Sequence, residues 1–168
     1  TWPRVSLWNS RCAAIPFHRT ALPFGGPRCF MIDPAETRLY FVCDDRPGGR
    51  PLADVLPRAL AGGVDIFQLR MKDAEDDAVL RSADVARAIC TDAGVPFILN
   101  DRPDLALKVG ADGVHLTGEQ LAQCEERPAF AMVAASTHSR AEIERAAALK
   151  LDFAVLGPVH ATASHPGQ

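Results

Sequence analysis

Residues 66–72 read IFQLRMK, and this stretch carries the pattern on which the fold prediction rests. Its first four residues form a short apolar run, and a strand period of two places Gln68, Arg70 and Lys72 on the same side. Comparable apolar runs recur along the chain from residue 38 onward, and helical patterns separate them. Short strands that are apolar on both faces and alternate with helices are typical of a parallel sheet covered by helices.

The pattern predicts six β/α units. The strands are expected at 39–43, 66–69, 97–99, 114–116, 131–135 and 153–156, and the helices at 51–61, 76–92, 103–108, 120–126 and 141–149. Ser139 is expected to cap the last helix, with Glu142 as the third residue after the cap. An open doubly wound sheet and a (β/α)8 TIM barrel both fit this order. No G-x-G-x-x-G phosphate loop is present, which favours the barrel, here with about six of its units.

Composition sets broad limits on function. The chain has 168 residues, of which 48% are hydrophobic, and a net charge of −3, so nothing indicates a nucleic-acid or membrane partner. Its five cysteines are odd in number and lack short paired spacings, which argues against a disulfide framework or a zinc site. Residues 1–37 are expected to be a leader or linker containing Pro and Arg, and 38–168 an incomplete barrel in a cytoplasmic protein.

Polar residues follow the carboxyl end of every predicted strand. In a barrel these ends converge on one face, where the active site lies, so the sequence predicts a site there. The residues are Asp44, Asp45, Gln68, Arg70, Lys72, Asn100, Asp101, His115, Thr117, Glu119, Ser136, Thr137, His138, His160, Thr162, Ser164 and His165.

Two cations follow the second strand. The guanidinium of Arg70 matches phosphate oxygens, and Lys72 adds a compact positive charge. The alternative is an ion-paired strand end, with Glu75 or Asp76 as the partner.

Asn100 and Asp101 follow the third strand. A carboxylate there could hold Mg²⁺, which prefers a few carboxylates together with substrate phosphate oxygens. The alternative is that Asp101 caps the helix that begins at Pro103. The cations, the carboxylate and the hydroxyl groups around one face together predict a diphosphate substrate.

The sequence resembles the thiamine-phosphate synthase and thiazole tautomerase family over about residues 38–167. The resemblance lies in LYFV at 39–42, QLR at 68–70 with Lys72, NDR at 100–102, DLA at 104–106, GADGVHL at 110–116, STH at 136–138 and GPV at 157–159 with Thr162. It implies a transferase of thiamine biosynthesis. Such an enzyme joins hydroxymethylpyrimidine diphosphate to a thiazole phosphate with Mg²⁺ as cofactor and releases pyrophosphate.

The resemblance also implies site roles. Arg70, Lys72 and Asn100 would hold the diphosphate, Asp101 would bind Mg²⁺, and Gln68 would face the pyrimidine. The implied catalytic residues are Arg70, Lys72, Ser136 and Thr162, and the implied substrate-binding residues are Gln68, Arg70, Lys72, Asn100, Ser136, Thr162, Ser164 and His165.

Three departures from the family pattern stand out. Gln120 lies where the resemblance leads us to expect a metal-binding Asp, and Glu119 is expected to substitute as the second metal ligand. His165 replaces a lysine. The sequence also stops after six units, so we expect residues 1–168 alone to be inactive, because the thiazole-phosphate site would follow strands seven and eight.

Other functions and partners stay open. A thiazole tautomerase would use His138 or His165 for proton transfer, and a third possibility is a non-catalytic barrel that binds thiamine precursors. The second half also resembles the synthase-like domains that follow a Nudix domain in some fusions. A fused Nudix domain is therefore an expected partner, and a homo-oligomer is a separate expectation.

Overall fold

A computed structural model of the chain describes residue 33 and residues 36–159. The strands are β1 Tyr40–Cys43, β2 Ile66–Leu69, β3 Phe97–Asn100, β4 Gly113–Leu116, β5 Met132–Thr137 and β6 Phe153–Leu156. The helices are α1 Leu52–Ala61, α2 Asp76–Ala93, α3 Pro103–Val109, α4 Gly118–Gln123 and α5 Arg140–Ala148, with a 3₁₀ turn at Pro47–Gly49. Most of the predicted leader, together with His160, Thr162, Ser164 and His165, lies outside the described residues.

The six strands form one parallel sheet in sequential order from β1 to β6. In a flat sheet the two outer strands would lie about 24 Å apart, since neighbouring strands are spaced by about 4.8 Å. Instead, the rings of Tyr40 in β1 and Phe153 in β6 meet edge to face with centroids 5.3 Å apart. The sheet is therefore strongly curled, and sequential order is not that of a doubly wound sheet. The predicted TIM-barrel type of fold is confirmed.

Alternation along each strand produces two apolar layers. The outer face of the sheet packs against the helices through Phe67, Leu69, Phe97, Leu99, Val114, Leu116, Val133 and Ala135. The concave inner face carries Ile66, Ile98 and Met132, with Tyr40 and Phe153 packed against them. Because side chains alternate with a period of two, Gln68 and Asn100 continue this inner face toward the carboxyl ends of the strands.

Close approach of β4 and β5 depends on Gly113. A Cβ atom at this position would lie 2.8 Å from the Cβ of Met132 and in contact with the carbonyl oxygen of Met132. The register pairs these two residues directly. A glycine is therefore needed here to let the strands pack.

Helix α4 differs from its prediction at both ends. It begins at Gly118 and ends at Gln123, whereas the sequence indicated 120–126. Thr117 caps it through a complete capping box: the Thr117 hydroxyl accepts from the backbone N–H of Gln120, and the Gln120 side chain accepts from that of Thr117. The predicted cap of α5 is confirmed, since the Ser139 hydroxyl accepts from the N–H of Glu142, and the helix lies one residue earlier than predicted at both ends.

Three aspartates connect strands at the amino end of the sheet. Each directly precedes an even-numbered strand, and its carboxylate accepts a backbone N–H at the start of the strand before it. Asp65 accepts from Leu39 at 2.9 Å, Asp112 from Phe97 at 2.9 Å, and Asp152 from Val133 at 2.6 Å. We call these three residues the aspartate staples; they join β1 to β2, β3 to β4 and β5 to β6.

Within residues 36–159, the helices are too short or too polar to cross a lipid bilayer.

Candidate active site

Five polar side chains on the inner face form a continuous chain of hydrogen bonds. The Tyr40 hydroxyl donates to Oε1 of Gln68, whose Nε2 donates to Oδ1 of Asn100 at 2.9 Å. On the other side, the Tyr40 oxygen lies 3.2 Å from Nδ1 of His115, and Nε2 of His115 lies 2.9 Å from Oγ of Ser136. This inner-face chain links β1, β2, β3, β4 and β5, with Tyr40 at its centre.

The order of donors fixes the tautomer of His115. Tyr40 has one hydroxyl proton and gives it to Gln68, so Nδ1 of His115 carries the proton shared with the Tyr40 oxygen. Nε2 then accepts from the Ser136 hydroxyl. The ends of the chain keep unused capacity: the amide N–H groups of Asn100 and the lone pairs of Ser136 remain free for a ligand.

Burial keeps the centre of this chain uncharged. His115 is 3% exposed, and burial, followed by the positive charge of Arg70, lowers its pKa to about 4. Burial also raises the pKa of the Tyr40 hydroxyl above its ordinary value. Both side chains are therefore neutral near pH 7, and the inner face presents dipoles, with no net charge from these two groups.

Arg70 and Lys72 lie beyond the end of β2 and are exposed. The ion-paired alternative with Asp76 is wrong, because Asp76 pairs with Arg102 at 2.5 Å. In the part of the chain that the structure describes, Arg70 and Lys72 form no salt bridge with Glu75 or any other acid. Two cations without acidic partners remain available to an anion.

Asp101 follows β3 and has an unusual backbone conformation, with a φ of 63°. Its backbone N–H donates to the carbonyl oxygen of His115 at 2.9 Å, and its carbonyl oxygen accepts from Nε2 of Gln120 at 2.9 Å. The alternative role as a helix cap is wrong, because Arg102 occupies the cap position of α3 and no side chain caps that helix. The exposed carboxylate makes no hydrogen bond or salt bridge to a described residue.

Glu119, the second expected metal ligand, lies exposed in the first turn of α4. Its Oε1 accepts from Nε2 of Gln123 at 3.3 Å. Among the described residues, no group of three or more His, Cys, Asp or Glu side chains is placed to hold a metal ion. A metal cage made of protein ligands alone is therefore absent from this part of the chain.

His138 follows β5 and is paired with a carboxylate. Its Nδ1 lies 3.3 Å from Oε2 of Glu142, and its backbone N–H donates to the same oxygen. The imidazole also packs on Gly118, where an added Cβ would lie 3.3 Å from the ring. The pair therefore lies between the carboxyl ends of β4 and β5.

Sequence reasoning missed Tyr40 and the positional role of Gln120. Tyr40 is the only tyrosine of the chain and begins β1, whereas the predicted site residues follow the carboxyl ends of strands. Its period-two position on the concave face was the available clue.

A separate cavity of about 240 Å³ between the β1–α1 loop and α2, lined in part by Arg46 and Arg81, includes none of the five inner-face residues.

Comparisons with known proteins, by sequence and by structure, all point to one family. The sequence model of the thiamine monophosphate synthase family matches residues 39–168. A thiamine-phosphate synthase of Thermus thermophilus is 46% identical over 134 residues, which cover 78% of this chain and 65% of the relative. That of Methanoculleus marisnigri is 44% identical over 131 residues, covering 75% of this chain and 62% of the relative.

A solved structure matches as well. The thiamine phosphate pyrophosphorylase of Pyrococcus furiosus superposes with a TM-score of 0.63 at 27% identity, covering 78% of this chain and 65% of that one. The chain thus spans less than two thirds of the length of these relatives.

Proposed function

The chain belongs to the thiamine monophosphate synthase family, and we propose on that basis that it acts as a thiamine-phosphate synthase. In this reaction hydroxymethylpyrimidine diphosphate and a thiazole phosphate are joined, and pyrophosphate leaves. The observation that carries the proposal is the pair of cations Arg70 and Lys72, which have no acidic partner among the described residues. They follow β2, next to the strand that ends in Asn100.

These cations would stabilise the charge that grows on the leaving pyrophosphate. Arg70 would make a forked contact to phosphate oxygens, and Lys72 would add a point charge. The free amide N–H groups of Asn100 would donate to the same oxygens, because its Oδ1 is already bonded to Gln68. Preorganised donors of this kind usually supply a large part of the rate acceleration.

The neutral inner face suits the other half of the substrate. A pyrimidine-methyl group that loses pyrophosphate becomes positively charged, and a protonated histidine beside it would oppose that step. The lowered pKa of His115 keeps this imidazole neutral. Gln68 would face the pyrimidine, and Ser136 and Thr162 would line the reacting centre. Ser164 and His165 would bind substrate.

The residues present fit Mg²⁺ that is shared with the substrate. Asp101 offers one exposed carboxylate, and Mg²⁺ commonly binds one or two carboxylates plus substrate phosphate oxygens and water. Glu119 is the other acidic residue proposed as a ligand. When bound, the ion would supply further neutralisation of the pyrophosphate charge.

Calorimetry tests the proposal. We expect the pyrimidine diphosphate to bind the full chain in a Mg²⁺-dependent manner, and Arg70→Ala or Lys72→Ala to weaken binding at least tenfold. Lys108→Ala is the matched control, since Lys108 is an exposed cation on α3 outside the site. Equal binding by wild type and both site variants would refute the proposed diphosphate site.

The paired His138 and Glu142 favour one second candidate, thiazole tautomerase. A carboxylate that holds one imidazole nitrogen leaves the other free for proton transfer. In the same calorimeter, binding of thiazole phosphate without the pyrimidine diphosphate would support this candidate. A cytoplasmic location, a fused Nudix domain and a homo-oligomer stay predictions of the sequence.

A further inference from the structure

We propose that Gln120 is a positioning residue that holds the Asp101 backbone in the conformation from which its carboxylate projects. As a result, the protein offers a divalent cation one carboxylate on a fixed backbone at this place, and phosphate oxygens must complete the site. The inference rests on the proposed function, because it takes Asp101 as the residue that contacts the cation.

The backbone of Asp101 needs external support. Its φ of 63° lies in the left-handed region, which is unfavourable for residues other than glycine, although Asp tolerates it better than most. The hydrogen bond from its N–H to the carbonyl oxygen of His115 holds one side. The hydrogen bond from Nε2 of Gln120 to its carbonyl oxygen holds the other. The peptide units on both sides of the Asp101 Cα are thus fixed, and this sets where its side chain leaves the backbone.

Gln120 suits this task because both ends of its amide are used. Oε1 accepts from the N–H of Thr117 at 3.0 Å, while Nε2 donates to Asp101 at 2.9 Å. The bond from the Thr117 N–H, one half of the capping box, thus holds the side chain in the orientation that reaches Asp101. A carboxylate at this position has no donor for the Asp101 carbonyl at neutral pH, so an acidic residue could not replace the contact.

The arrangement has a cost for metal binding. Gln120, the α4 residue that is hydrogen-bonded to Asp101, carries a neutral amide and adds no negative charge for a cation. Its neighbour Glu119 is exposed and in contact with Gln123. Together with the absence of a three-ligand cluster in the described residues, this leaves Asp101 as the carboxylate whose backbone is held in place here. A cation held by one carboxylate in water binds weakly, and added phosphate oxygens strengthen its binding.

Manganese provides a probe whose binding is read without any turnover. Equilibrium dialysis counts the Mn²⁺ retained by the full chain, and the electron paramagnetic resonance spectrum reports the bound ion, with and without inorganic pyrophosphate. We expect pyrophosphate to strengthen Mn²⁺ retention by wild type at least tenfold. Gln120→Met, which has a similar length and no amide, should reduce retention with pyrophosphate about tenfold and broaden the spectrum.

Thr117→Val is the matched control, because it removes the hydroxyl of the capping box and keeps the contact from Gln120 to Asp101. Its Mn²⁺ retention should stay within twofold of wild type, and thermal unfolding confirms that both variants fold. Equal losses of Mn²⁺ retention in the two variants would overturn this inference and leave the proposed function standing. Unchanged retention and spectrum in folded Gln120→Met would do the same. If wild type retains no Mn²⁺ with pyrophosphate, the metal part of the proposed function fails as well.

Discussion

The Tyr40 hydroxyl in β1 donates a hydrogen bond to the Gln68 carbonyl oxygen in β2. This bond decides the orientation of the Gln68 amide, because it leaves Nε2 to face Asn100. The same hydroxyl oxygen accepts from His115. Tyr40 therefore connects the two halves of the inner-face chain, one of which ends at Asn100 and the other at Ser136.

Removing the Tyr40 hydroxyl should weaken both halves of the inner-face chain. We expect Tyr40→Phe to lower the free energy of unfolding by about 1–3 kcal/mol, since it leaves polar groups of Gln68 and His115 without a partner. Affinity for the pyrimidine diphosphate should fall several-fold because Asn100 loses its fixed orientation. Urea unfolding and calorimetry measure the two effects. An unchanged urea midpoint together with unchanged affinity would show that Tyr40 does not organise the site.

Stability should fall in mild acid because of His115. Its pKa in the folded protein is about 4, below the ordinary 6.5, so between these values the unfolded chain takes up a proton that the folded chain excludes. The contribution is complete above pH 6.5 and decreases as the pH falls toward 4, by roughly 3 kcal/mol in total. Urea unfolding from pH 7.5 to 4 measures it. His115→Gln should flatten this part of the profile, and the exposed His138→Gln is the control; equal slopes in all three proteins would contradict the assignment.

A methyl group at Gly113 should strain the contact between β4 and β5. We expect Gly113→Ala to cost about 1–3 kcal/mol, as for other overpacked cores, because the new Cβ would crowd Met132. Chemical denaturation measures the loss. A change below about 0.5 kcal/mol, the range usual for surface substitutions, would mean that the two strands separate easily.

The aspartate staple before β6 should matter more than an exposed ion pair. Asp152 accepts from the backbone of Val133 and from Arg127 at 2.5 Å, and both charged side chains are 27% exposed. Asp152→Ala should lower the free energy of unfolding by about 2–4 kcal/mol, because partly buried donors lose their acceptor. The control is Asp104→Ala, whose carboxylate is 66% exposed and 3.7 Å from Arg102, and whose loss should change stability by less than about 0.5 kcal/mol. Similar losses in the two variants would rule out a special role for the staple.

Local patterns were sufficient to predict the strands. All six predicted strands are present, because short apolar runs bounded by turn residues identify buried parallel strands. Helix α4 begins two residues before its predicted start, because Thr117, a predicted site residue, caps the helix.

The site depends on geometry that the sequence does not contain. Contact between Tyr40 and His115 joins strands that are three positions apart, so it requires the curl of the sheet. The role of Gln120 depends on the backbone angle of Asp101, and no residue pattern predicts a left-handed aspartate here. From the sequence alone, Gln120 is recognised only as a residue that lacks the carboxylate of the expected metal-binding Asp.

The aspartate staples also divide the fold into exchangeable modules. Each carboxylate and the N–H that it accepts belong to the same pair of strands, and the connections from α2 to β3 and from α4 to β5 carry no staple. In a chimera joined at Gly94, or between Gln123 and Arg127, the carboxylate and the N–H of each staple would come from the same parent protein. Crossovers inside a pair would separate a carboxylate from its partner. These two connections are therefore the natural points for recombining this chain with its relatives.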